Sequence, residues 1–431
     1  MSRFAPRDTA PRPERALLVG VDLGAGSAWP LAESLAELGR LAETDGAEVV
    51  STLTQRLDRP VPRTFIGSGK ARELVDAVRS LAIDVVIFDD ELTPSQQTNL
   101  ERIVGEPTKI IDRTALILDI FGNHATTREG RIQVQVAQLE YLLPRLRGMW
   151  SHLVGEQTRG GIGSRFGQGE SQLEVDRRLV RKRISTLKGE LATLDVRRET
   201  QSKARWESGI YRVALAGYTN AGKSTLLNSL TDSDVYAKDE LFATLDPTTR
   251  SLVLEGGRRI SLTDTVGFIQ KLPTTLVESF KSTLAEVRMA DLVLVVVDSS
   301  DAHADRELAA VLEILSQIGA GDVRRLVVYN KSDLPGAHGA EAGQAQDAVM
   351  VSARTGEGLQ ELLFRISRAA ADDDVTMALL IPYDKGSLVR LVHERCQVIR
   401  ESYGDGGLQV SAKVPRRLAK GLEPYAKGDE D

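Results

Sequence analysis

Nine consecutive residues, Gly217-Tyr218-Thr219-Asn220-Ala221-Gly222-Lys223-Ser224-Thr225, restrict what this chain can fold into more than any other stretch of it. They follow an apolar run, Tyr211 to Ala216, that reads as a buried strand, and they open a helical pattern. G-x4-G-K-[ST] at a strand-to-helix junction is a phosphate cradle. The glycines let backbone N–H groups turn inward, and the helix N-terminus favours negative charge. Lys223 then reaches the β and γ phosphates, and Ser224 offers a hydroxyl to magnesium. A strand of this kind needs a parallel sheet covered on both faces. Further Val, Leu and Ile runs supply one: Ile260 to Thr263, Leu292 to Asp298, Arg325 to Asn330 and Ala348 to Val351.

A phosphate loop alone does not choose between adenine and guanine, but the residues at the ends of the later strands do. Asp264-Thr265-Val266-Gly267 places a carboxylate for magnesium through water and a glycine N–H for the γ phosphate. Asn330-Lys331-Ser332-Asp333 brings a carboxylate that can accept from guanine N1–H and the 2-amino group together, donors that adenine lacks. Ser352-Ala353-Arg354 puts a backbone amide within reach of guanine O6. All of these fall at strand carboxyl ends, where an open α/β sheet binds its ligands. The position after Gly267, where a glutamine often orients the attacking water, is Phe268, so a slow intrinsic hydrolysis stimulated by a partner is expected.

Elsewhere the pattern divides the chain. Residues 1–14, with three prolines, read as a flexible arm. Over 15–127, short apolar runs (Ala16 to Val21, Ala47 to Leu53, Ile83 to Phe88, Lys109 to Ile111) alternate with helical stretches (Leu31 to Leu41, Lys70 to Leu81), predicting a small α/β domain. Across 128–208, Ile132, Val136, Leu139, Leu143 and Leu146, then Val180, Ile184, Leu187, Leu191 and Leu194, step by three and four. The spacing predicts an antiparallel helical hairpin, bent at Pro144, with a glycine-rich tip at 155–169 that carries Arg159 and Arg165. The nucleotide-binding domain occupies 209–371. Within 372–431 a strand (Met377 to Ile381), a helix (Ser387 to Ile399) and a strand (Gly407 to Ala412) predict a small α+β domain and tail. The fold class is thus multidomain α/β. Gly67-Ser68-Gly69-Lys70 imitates a phosphate loop but is followed by Ala71, and reads as a turn into a helix.

Composition excludes several classes. One cysteine, Cys396, and five scattered histidines leave no disulfide framework and no zinc-ligand cluster. The start has no apolar signal segment and no run of 18 apolar residues occurs, so a cytoplasmic protein with no membrane span is expected. A net charge of −6 argues at first against nucleic-acid partners. Residues 128–206, however, hold 16 Lys and Arg against 9 Asp and Glu, which puts +7 on the hairpin and −13 on the rest. A basic hairpin with arginines at its tip suits a phosphate-lined RNA cleft, and a protein partner or an assembly role are the other readings.

The order P-loop, DxxG, NKxD, SA resembles the small-GTPase-like G domains. Leu241-Phe242-Ala243-Thr244-Leu245-Asp246-Pro247-Thr248-Thr249-Arg250 narrows this, since FATLDPTTR looks like switch I of the HflX family. FIGSGKARELVDAV (65–78), ELTPSQQTNLE (91–101), DRTALILDIF (112–121), EGRIQVQVAQLEYLLPRL (129–146) and GGIGSRFGQGESQLE (160–174) resemble its N-terminal domain and hairpin. The resemblance implies that Phe242, Ala243, Thr244, Leu245 and Asp246 border GTP or GDP, and that Thr244 binds magnesium and acts with Lys223 and Gly267 in hydrolysis. By side-chain chemistry alone Thr248 and Thr249 serve equally well. It further implies a partner, the large (50S) ribosomal subunit and its 23S rRNA, engaged as a monomer, without DNA, to split or rescue stalled ribosomes under stress.

Overall fold

The computed structural model describes residues 12–24, 29–156, 168–207, 210–231, 241–242, 247–255, 257–271, 281–337, 347–372, 374–404 and 406–426. Its chain contacts divide into two compact units, one of Met1–Asn123, Arg131–Lys188 and Lys271–Leu276, the other of His124–Gly130, Gly189–Gln270 and Val277–Asp431.

The first unit is built on four strands, β1 (Arg15–Asp22), β2 (Glu48–Arg56), β3 (Val85–Phe88) and β4 (Lys109–Asp112), all parallel in the order β2-β1-β3-β4. Helices α1 (Leu31–Thr44), α2 (Ser68–Leu81), α3 (Pro94–Val104) and α4 (Arg113–His124) alternate with them. The core is the central strands (Leu17, Val19, Val86, Phe88) packed with Ile66, Leu74 and Leu100. Sequence periodicity did not resolve α3 or α4. Yet α3 carries its own start signal, a capping box in which Thr93 Oγ1 accepts from the Gln96 amide while Gln96 answers the Thr93 amide, with Pro94 at the first turn. The Gly67-Ser68-Gly69-Lys70 stretch is the turn into α2: Gly67 caps that helix and gives its N–H to Gln55 Oε1 at 2.9 Å.

At the carboxyl ends of these strands, Arg113 is 2 % exposed and ion-pairs with Asp89 (2.6 Å) and Glu37 (2.7 Å), both equally hidden. Burial alone would raise the Asp89 carboxyl, but the Arg113 guanidinium and the Lys271 ammonium, 2.6 Å from its other oxygen, together outweigh it and hold the group below its ordinary range.

Two long helices follow, α5 (Arg128–Glu156), continuous through Pro144, and α6 (Gln168–Glu207). Side chains of the two meet at Arg183–Gln135 (3.1 Å) and Lys188–Glu140 (2.6 Å). The seam residues behave as their spacing predicts, with Ile132, Val136 and Leu187 buried. Arg159 and Arg165 lie outside the described residues.

The second unit holds a six-stranded sheet ordered β10-β9-β8-β5-β7-β6: β5 (Tyr211–Gly217), β6 (Thr248–Val253), β7 (Arg259–Asp264), β8 (Leu292–Asp298), β9 (Arg325–Asn330) and β10 (Ala348–Met350). Every neighbouring pair is parallel except β6 with β7. β6 begins immediately after Pro247, in the stretch whose local chemistry reads as a turn. A smaller antiparallel sheet, ordered β11-β13-β12, is formed by β11 (Asp374–Ile381), β12 (Gln397–Gly404) and β13 (Gly407–Pro415). Here the sequence expectation needs correction. The helix predicted to reach Ile399 ends at Arg395, and 397–404 is a strand, because Cys396 takes an extended backbone and is fully buried against Val410 and Ala412.

Candidate guanine-nucleotide site

The site forms where β5, β7, β8, β9 and β10 end. Between β5 and helix α7 (Lys223–Thr231), Asn220 (φ 60°) and Gly222 (φ 88°) adopt left-handed backbone, which curls the loop into a nest of inward N–H groups. At Gly222 a Cβ would overlap the Asn330 amide, so the loop approaches β9 as only glycine allows. Lys223 is 6 % exposed; its Nζ donates to the carbonyls of Tyr218 (2.7 Å) and Gly217 (3.1 Å) across the loop mouth. Burial pushes its ammonium down to about 8, against the opposing pull of Asp264 and Glu307.

Ser224 Oγ donates to Asp264 Oδ2 at 2.6 Å, and Asp264 is fully buried. A hydroxyl and a carboxylate brought together beside a phosphate loop are hard oxygen donors, the set that magnesium takes, so these residues fit the ion. Gly267 lies against the loop: a Cβ there would sit 2.9 Å from Thr219 Cα and 3.1 Å from Lys223 Nζ. What holds it so close is Phe268. Its N–H donates to Gly217 O (3.0 Å), its carbonyl accepts from Thr219 N–H (2.7 Å), and its ring is 1 % exposed. The residue that cannot orient water is therefore the one that zips the DxxG segment to the phosphate loop. Thr265, expected beside the nucleotide, instead sends its hydroxyl to Leu215 O (2.7 Å), and Val266 is buried.

On the base side, Asn330 is an organiser. Its Nδ2 donates to Ala221 O and its Oδ1 accepts from Ala353 N–H, both at 2.9 Å, joining phosphate loop, β9 and the Ser352 segment. The Ala353 amide is thus engaged with Asn330. Ser352 Oγ donates to Asp333 Oδ1 at 2.6 Å, and that bond holds the Asp333 carboxyl below its ordinary value. Lys331, in left-handed backbone (φ 63°), ion-pairs with Asp298 at 2.7 Å. Asp298 and its neighbour Ser299, whose hydroxyl donates to Asn330 O at 2.6 Å, support the site although no motif contains them; their place at the end of β8 was the available signal.

Of switch I, Ala243, Thr244, Leu245 and Asp246 lie outside the described residues, whereas Phe242 is buried. Among the alternative threonines, Thr249 shares a hydrogen bond with Thr263 (3.0 Å), and Thr248 stands across the β6–β7 pair from Asp264.

The chain resembles known proteins along most of its length. Residues 32–122 match the GTP-binding GTPase N-terminal family, 124–205 the GTP-binding GTPase middle region, 212–331 the 50S ribosome-binding GTPase, and 339–426 the HflX C-terminal domain. GTPase HflX of Caldanaerobacter subterraneus subsp. tengcongensis is 45% identical, covering 96% of this chain and 94% of that protein. The chain belongs to the HflX GTPase family. GTPase HflX of Escherichia coli K12 is 40% identical over 90% of this chain and 92% of its own length. Among solved structures, a GTP-binding protein from Sulfolobus solfataricus in complex with GDP aligns with 83% of this chain and 98% of its own, at 23% identity and a TM-score of 0.45. The phosphate loop and the DxxG segment fall within the matched residues 212–331, and no helix among the described residues is long and apolar enough to cross a membrane.

Proposed function

We propose that this HflX-family chain is a GTP-driven switch that acts on the large ribosomal subunit. The observation that carries the switch reading is the position of Gly267. Its amide belongs to a segment hydrogen-bonded to the phosphate loop through Phe268, so a γ phosphate in the loop is read by DxxG directly. In this reading Lys223 binds the β and γ phosphates, Ser224 and Thr244 hold magnesium directly and Asp264 through water, and Asp333 selects guanine. The ion, when bound, neutralises charge on the phosphates. The chain's own residues position GTP, with Lys223 buried against the loop. Since Phe268 has no group to orient the attacking water, hydrolysis depends on what the partner adds.

The partner follows from two separate features, the +7 charge of 128–206 and the match of 212–331 to a family described as ribosome-binding. GTP binding orders the switches and favours the subunit, the hairpin tip with Arg159 and Arg165 enters rRNA, and hydrolysis releases the protein. Splitting or rescue of stalled ribosomes in the cytoplasm under stress, by a monomer, is the task this cycle suits. Co-sedimentation of the full chain with large subunits tests it: binding with a non-hydrolysable GTP analogue, release with GDP, and a steep fall with salt are expected. Equal binding in both nucleotide states would overturn the switch reading.

A further inference from the structure

The parallel strands that bring their carboxyl ends to the nucleotide bring their amino ends to the opposite edge of the same sheet. β8 has seven residues, so that edge lies about 20 Å from the phosphate loop at roughly 3.3 Å per residue. A cavity of about 290 Å³ opens there, between the start of β8 at Leu292, the start of β9, and helix α8 (Leu359–Ala371). Four arginines line it: Arg324, Arg325, Arg365 and Arg368. This is a concentration, because residues 209–371 hold only 16 Lys and Arg against 21 Asp and Glu. A quarter of the cations of an acidic segment converge on one cavity.

Two of the four are engaged. Arg324 pairs with Asp372 at 2.6 Å and Arg365 with Glu361 at 2.7 Å. Arg325 and Arg368 are exposed and have no carboxylate partner among the described residues. Phe364, one turn before Arg368 on α8, also lines the cavity and is 61% exposed, a ring that burial would ordinarily claim. We propose that this cavity is a binding site for single-stranded RNA, with one base stacked on Phe364 and the flanking phosphates on Arg325 and Arg368. Guanidinium forks match phosphate oxygens, and an aromatic face takes any base. Phe364 decides between RNA and an acidic peptide, because its exposed ring offers a stacking face to a base and nothing comparable to a run of Asp and Glu. Asp347, Glu361 and Asp372 line the same cavity and can accept from ribose 2′-hydroxyls and base amino groups. The site extends RNA contact from the hairpin to the nucleotide-binding segment and rests on the RNA reading above only in that sense.

The test uses the full chain with GDP and a hexauridylate containing 4-thiouridine, photocrosslinked and mapped by peptide. A crosslink in 324–326 or 361–368 is expected, in addition to any within 128–206; the latter report separately on the hairpin. The double variant Arg325→Gln, Arg368→Gln should lower the first yield several-fold, leave the second unchanged, and reduce the log-log salt slope of that crosslink by about 1.4, at roughly 0.7 per phosphate. Phe364→Leu should lower the yield with the salt slope retained, and retained GDP binding verifies that each variant is folded. Absence of a crosslink in these segments, a yield unchanged in the double variant, or competition by hexaglutamate as effective as by hexauridylate would overturn the proposal.

Discussion

At the scale of single residues, the site is held by contacts that the motif letters do not spell. Gly267 is usually understood through its N–H, but here its missing side chain matters as much, since a methyl group would strike Thr219 and Lys223. Gly267→Ala should therefore lower GTP turnover by at least about tenfold, some 1.4 kcal/mol of transition-state stabilisation, while GDP affinity stays within a few-fold; single-turnover kinetics and GDP titration measure the two. Lys223 makes a second prediction. Its ammonium is pushed down to about 8 by burial, and bound phosphates favour the charged form. Nucleotide binding should then take up close to half a proton at pH 8 and almost none below pH 7, read by calorimetry in buffers of different ionisation heat. Asn330 and Phe268 show why motif reading ran short. Both act through groups that bond to other loops, and such partners are invisible until the chain is folded.

At the scale of elements, the central strands β1, β3, β5 and β8 were legible because both-face burial writes them as nearly continuous apolar runs. β12 was not, because Val398 and Ile399 continue the helical spacing of 387–395, and only the burial of Cys396 shows where the helix stops. β6 was hidden for a different reason: it is an edge strand with mostly exposed residues, and the Asp246-Pro247 pair before it reads as a turn. The Arg113 cluster belongs to this scale as well, since it joins α1, β3 and α4. Arg113→Met should cost about 3–5 kcal/mol, because the guanidinium that both buried carboxylates share is lost and Lys271 remains on Asp89 only, and denaturant unfolding measures it. The Asp89 carboxyl is held below its unfolded value, so the stability it contributes is complete above the unfolded pKa near 3.9 and is lost as pH falls through the folded one. In the Met variant that acid-sensitive part should shrink to what Lys271 alone sustains.

At the scale of the whole molecule, charge is the property that the average conceals. A net −6 argues against RNA, yet it is the sum of a basic hairpin and an acidic remainder, and within that remainder four arginines gather at one cavity. The domain order was readable from period changes and motifs, while the cavity was not, because its arginines come from two segments some 40 residues apart. The central claim, a GTPase whose missing water-positioning group is supplied by the ribosome through the hairpin, is tested most directly by GTP turnover of the full chain with and without purified large subunits. Turnover should be slow alone, rise by at least about tenfold with subunits, equivalent to roughly 1.4 kcal/mol, and lose that rise when 155–169 is replaced by a short linker. No stimulation of the wild type, or equal stimulation of both proteins, would contradict it.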